Sequence, residues 1–102
     1  MNRTEECVYY NALFAIYGAL LNEREQDIFS LFYEEDLSLQ EIAYHRKVSK
    51  SAIGSAIKTI TKKLDIYEEK LQFYKKIQEL EKILIEIKDA SLIEKMENII
   101  CK

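Results

Sequence analysis

Apolar side chains recur at three- and four-residue gaps along most of this chain, the spacing of helix faces. From about Glu5 to Leu21, Tyr9, Leu13, Ile16, Tyr17 and Leu20 follow one stripe, and Tyr10, Phe14 and Leu21 widen it. A stripe so broad needs more than one partner surface. Later helices of the chain cover part of it, and a second copy is the simplest cover for the rest, so a homodimer is expected. Asn22 and Glu25 have capping-box spacing and open a second helix whose apolar side is Ile28, Phe29, Leu31, Phe32 and Tyr33. Glu34, Glu35 and Asp36 then mark a solvated end.

Ser38 and Glu41 repeat the box and start a short helix from Leu39 to about Arg46. Ser49 offers the next N-cap, after which Ile53, Ile57, Ile60 and Leu64 share one face. The stripe continues through Tyr67, Leu71, Tyr74, Ile77, Leu80, Leu84 and Ile87, as in one long amphipathic helix or a helical hairpin. Ala90-Ser91 is the expected break, with a third box, Ser91 to Glu94, launching Leu92, Ile93, Met96, Ile99 and Ile100. These elements predict an all-α chain forming a single helical domain over 1–102, with a helix-turn-helix at about 38–64 and a C-terminal extension over about 65–102.

Composition agrees, since glycine occurs twice, at Gly18 and Gly54, and proline not at all. Charge adds something new. The net charge is −3, yet Arg46, Lys47, Lys50, Lys58, Lys62 and Lys63 fall between Ile42 and Leu64 without one acid among them. The rest of the chain then holds nine bases against 18 acids. Such segregation is the footprint of a polyanion-binding surface. With Leu39 as the first position of a helix-turn-helix, Ile42, Ala43, Val48, Ile53 and Ala56 fall where the two helices meet, Val48 plugging the turn. Lys50, Ser51, Gly54, Ser55, Lys58 and Lys62 then occupy the opposite face of the second helix. Arg46, Lys47 and Ser49 in and beside the turn complete the candidate nucleic-acid contacts. Lysines meet phosphates, whereas base edges are read by few side chains, so weak sequence specificity is expected.

Other chemistries find no support. Cys7 and Cys101 lie near opposite ends without metal-ligand spacing, which suits reduced thiols in a cytoplasmic protein; no metal, cofactor or small-molecule substrate is expected. His45 stands alone, so no catalytic arrangement forms and the chain is read as no enzyme. No apolar run approaches the roughly 20 residues of a membrane span. Most of the seven tyrosines lie on or beside apolar stripes and are expected in packing; Tyr44, next to the basic run, is the one suited to touch nucleic acid.

The runs Tyr17-Gly18-Ala19-Leu20-Leu21-Asn22-Glu23, Phe32 through Ala43, Val48 through Ile53 and Ala56-Ile57-Lys58 resemble the YlxM family, and Tyr67-Glu68-Glu69-Lys70-Leu71 extends the likeness. The resemblance is good from about Tyr17 to Lys76 and looser at the ends. It implies a small bacterial helix-turn-helix protein similar to region 4 of sigma factors, all-helical and dimeric. It further implies a DNA or RNA partner and a part in the signal recognition particle pathway, because family genes lie beside that particle's GTPase gene. By matching position, Ser49, Lys50, Ser51, Ser55 and Lys58 take the recognition-helix role. Lys47 stands where a glycine is common, Gly54 where a larger side chain is usual, and Thr59 where a second base is common, which weakens base-specific readout. A competing expectation is a protein-interaction adaptor gripping a partner through the stripe from Tyr67 to Ile100, with the basic face only solubilising.

Overall fold

The computed structural model describes residues 2–86 and 90–100, of residues 90–93 the backbone alone. All regular elements among them are helical: α1 (Arg3–Tyr17), α2 (Glu23–Phe29), α3 (Leu39–Arg46), α4 (Lys50–Leu71), α5 (Phe73–Glu86) and α6 (Ala90–Ile100). A 3-10 turn, Gly18–Leu20, follows α1, and a wide π turn, Ser30–Glu34, extends α2. The chain divides into two compact units, Met1–Leu71 and Gln72–Lys102.

Capping boxes set the starts of α2 and α3. Asn22 and Glu25 bond reciprocally, the Glu25 amide donating to Asn22 Oδ1 at 2.8 Å and the Asn22 amide to Glu25 Oε1 at 3.1 Å. Ser38 and Glu41 do the same at 3.1 Å in both directions. Each box satisfies two donors that a helix N-terminus otherwise leaves free. The π turn was not expected from the sequence. It brings Tyr33 inside with Ile28 and Phe29 while Leu31 and Phe32 stay half-buried, and Glu34 to Asp36 are exposed.

In the first unit α1, α2 and α3 all pack on α4. Ile53, Ile57, Ile60 and Leu64 of α4 are buried together with Leu13 and Tyr17 of α1, Ile28 and Phe29 of α2, and Ile42 and Ala43 of α3. Phe14 stacks on Phe29 with ring centroids 4.2 Å apart. The broad stripe is thus largely covered within the chain, Leu13, Tyr17 and Leu21 being buried, while Leu20 remains exposed, as does Val8 beside the stripe. Three tyrosines bridge helices through carboxylates: Tyr10 donates to Asp65 at 3.0 Å, Tyr17 to Glu68 at 2.6 Å and Tyr33 to Glu6 at 3.3 Å. Burial, then the bond to Asp65, pushes the Tyr10 hydroxyl up to about 12.

The long C-terminal stripe is interrupted earlier than its periodicity suggests. Gln72, with φ 55, adopts the left-handed conformation between α4 and α5, and no glycine or proline marks the place. In the second unit Leu84 is buried, while Phe73, Leu80, Ile83 and Ile85 of α5 are exposed. α6 begins at Ala90, at the expected break. The Ser91–Glu94 box and Cys101 lie outside the described side chains.

Candidate nucleic-acid interface

The turn between α3 and α4 is three residues, Lys47-Val48-Ser49. Lys47 caps α3 with φ 57 and ψ 44, and its amide donates to the carbonyls of Ala43 and Tyr44. The Val48 amide donates to Ala43 at 3.0 Å, the double closure typical of a left-handed helix end. Val48 itself is 41% exposed and does not plug the turn. Its amide, rather than its side chain, shapes the corner. Ser49 caps α4, its Oγ accepting the Ala52 amide at 3.1 Å and lying 3.3 Å from Ser51 Oγ.

From that cap α4 presents two opposed faces. Ile53, Ile57 and Ile60 anchor one face in the core, while Lys50, Ser51, Ser55, Lys58 and Lys62 are all exposed on the other. The outward group therefore stands on a helix whose inner side is fixed by buried aliphatics. Among the described residues no ion pair joins Lys47, Lys50, Lys58 or Lys62.

Other members of the expected set are placed differently. Arg46 is ion-paired with Asp27, which ties the end of α3 to α2. Gly54 is half-buried and turned toward α3, and a Cβ built there would sit 3.9 Å from Leu39 Cδ1, an ordinary contact. Ser49 spends its hydroxyl on the cap. Lys63, counted in the basic run, donates to Glu25 Oε2 at 2.6 Å. Glu25 is only 7% exposed. Burial opposes its ionisation, yet the bonds from Lys63 and the Asn22 amide hold its carboxyl below the ordinary 4.5. Two of the six bases thus act as struts that fix α2 against α3 and α4.

Tyr44 is 84% exposed on α3, beside His45. Thr61 bonds back to its own helix at Ile57 and Lys58 and offers nothing outward. Two exposed acids, Asp65 and Glu69, stand farther along α4, three and seven residues beyond Lys62.

Two helices meeting through a left-handed three-residue turn, the second carrying exposed lysines and small polar groups, define a helix-turn-helix protein. Comparison with known proteins agrees. Residues 4–102 match the family model described as "Putative helix-turn-helix protein, YlxM / p13 like". A UPF0122 protein of Clostridium acetobutylicum is 38% identical over 89 residues, covering 87% of this chain and 77% of the relative. One from Fusobacterium nucleatum is 38% identical over 96 residues, covering 94% and 93%, and one from Caldanaerobacter subterraneus is 35% identical over 86 residues, covering 84% and 74%. The chain belongs to the UPF0122, YlxM/p13-like family. Among the described residues no helix is long and apolar enough to cross a membrane.

Proposed function

We propose that this protein binds DNA or RNA through the exposed face of α4 and acts by binding alone, as a cytoplasmic regulator or accessory in the signal recognition particle pathway. The observation that carries the reading is the outward group Lys50, Ser51, Ser55, Lys58 and Lys62 on the second helix of a helix-turn-helix, with Lys47 at its corner. Arg46 and Ser49 support that surface from behind, as strut and cap. Phosphate contact dominates because lysines outnumber groups able to read a base edge, and Ser51 and Ser55 accept or donate to several bases alike. The pathway assignment rests on the family resemblance.

A salt series tests it. Four exposed lysines meeting four phosphates give a slope of log affinity against log salt of about −3.6 on duplex DNA and about −2.8 on a single strand. Affinity for duplex DNA then falls on the order of a hundredfold between about 50 and 200 mM salt. Binding that ignores salt, or none at low salt, defeats the reading.

The exposed Phe73, Leu80, Ile83 and Ile85 of α5 favour a second role, pairing with another copy or with a partner helix. Reversing Lys50 and Lys58 to glutamate separates the two. Nucleic-acid retention disappears under the first reading, and partner capture is untouched under the adaptor reading.

A further inference from the structure

The outer face of α4 is one continuous stripe that changes sign. Ser51, Ser55, Lys58, Lys62, Asp65 and Glu69 follow one another at gaps of four, three, four, three and four residues, and all six are exposed. That spacing stacks side chains along a single line of a helix. At 1.5 Å per residue the polar and basic part, Ser51 to Lys62, runs about 17 Å, and the first carboxylate stands only about 4.5 Å farther along the axis. Asp65 cannot swing clear, because Tyr10 of α1 donates to its Oδ2 at 3.0 Å. Glu68, one residue short of Glu69, is likewise held by Tyr17 at 2.6 Å. Among the described residues no base forms an ion pair with Asp65 or Glu69, and both residues are exposed.

We propose that Asp65 and Glu69 are a built-in stop that ends the polyanion contact after Lys62, so that a nucleic acid crosses the first turns of α4 and does not lie along its length. This rests on the nucleic-acid reading above and adds orientation to it. A phosphate strand running lengthwise would leave the lysines and meet first the Asp65 carboxylate, held by Tyr10, and then Glu69 on the same line, where like charges repel. A duplex entered by the N-terminal turns alone avoids them, since the major groove is about 12 Å wide and its phosphate walls then flank Lys50 to Lys62. Attraction thus fixes where binding begins, and repulsion where it ends. Discrimination between binding poses commonly needs such a repulsive element.

The test compares the unaltered protein with three double variants on a duplex DNA and a single-stranded RNA, each of about 15 units. Asp65→Asn with Glu69→Gln removes the charge while an amide oxygen still accepts from Tyr10. We expect binding about three- to tenfold tighter at low salt, with the salt slope unchanged because no cation has been added. Asp65→Lys with Glu69→Lys steepens the slope by up to about 1.8, as two further phosphates are engaged. Glu23→Gln with Glu34→Gln, an equal charge change off the stripe, gives little tightening. Urea midpoints establish that each variant is folded, and the isosteric pair decides the matter if the lysine pair is not. Equal affinity of the isosteric variant and the original protein, or tightening no greater than that of the off-stripe control, overturns the stop. If the original protein binds and loses binding on reversal of Lys50 and Lys58 while the acids prove indifferent, this inference alone falls; if the original protein binds neither probe, both fall.

Discussion

Lys47 holds the corner of the helix-turn-helix at φ 57 and ψ 44, a conformation that puts its Cβ against the following carbonyl. For a residue with a Cβ this costs roughly 1–2 kcal/mol, whereas glycine adopts it freely. Replacement by glycine also frees the unfolded chain, which returns about 0.4–1 kcal/mol of that gain. The balance predicts that Lys47→Gly stabilises the first unit by about 0.5–1 kcal/mol, or on the order of 2–8 °C in Tm for a domain of this size. The two cap bonds to Ala43 and Tyr44 come from the backbone and survive. Lys47→Ala removes the same charge but keeps the strained Cβ, so it should gain nothing. Urea unfolding followed by far-ultraviolet circular dichroism reads both. On nucleic acid both variants lose at most one phosphate contact, so both slopes fall by up to about 0.9. Stability and binding therefore move in opposite directions for glycine. Equal stability of the glycine and alanine variants would refute the assignment of strain to this corner.

Gly54→Ala should stabilise the protein by up to about 1 kcal/mol, because the new Cβ meets only Leu39 at ordinary contact and the helix interior prefers alanine. Gly18→Ala should have the opposite sign in the same urea assay, since its Cβ would press on the Phe14 ring at 3.2 Å and disturb the stack on Phe29. Ile60→Ala, at a fully buried position shared by the packed helices, should cost about 2–5 kcal/mol, a large fraction of the stability of a small domain. In acid, the lowered Glu25 carboxyl contributes stability that is complete above its ordinary value of 4.5 and is lost as pH falls through its folded value. Lys63→Met should flatten that acid limb of the stability profile. In alkali, the stability linked to Tyr10 is complete below 10.0 and is lost as pH rises toward about 12, and Tyr10→Phe should remove that part of the loss.

The readable part of this fold was carried by interactions between near neighbours. The Asn22–Glu25 and Ser38–Glu41 boxes close within four residues, so residue type and spacing specify them. The inner face of α4 was equally legible, because Ile53, Ile57, Ile60 and Leu64 repeat on one side. What escaped depends on distant partners or on backbone choices that leave no compositional mark. Arg46 finds Asp27 across 19 residues and Lys63 finds Glu25 across 38, and a charge count credits both bases to the outside. Glu25 was readable as a cap, but its second oxygen is spoken for only once α2 lies on α4. The left-handed Gln72 and the π turn after Phe29 lack glycine or proline to announce them. Val48 fitted the motif by position, yet the turn is closed by its amide.

That α1, α2 and α3 all lean on α4 sets an order of assembly. During synthesis three amphipathic segments appear before the element on which they share a core, and until Leu64 has emerged Leu13, Ile28, Phe29 and Ile42 lack the common support that later buries them. Premature termination anywhere upstream of that residue would leave sticky, protease-sensitive fragments, whereas completion of one helix converts them to a folded unit in a single cooperative step. Completion of the core and presentation of the lysines therefore fall to the same stretch of chain.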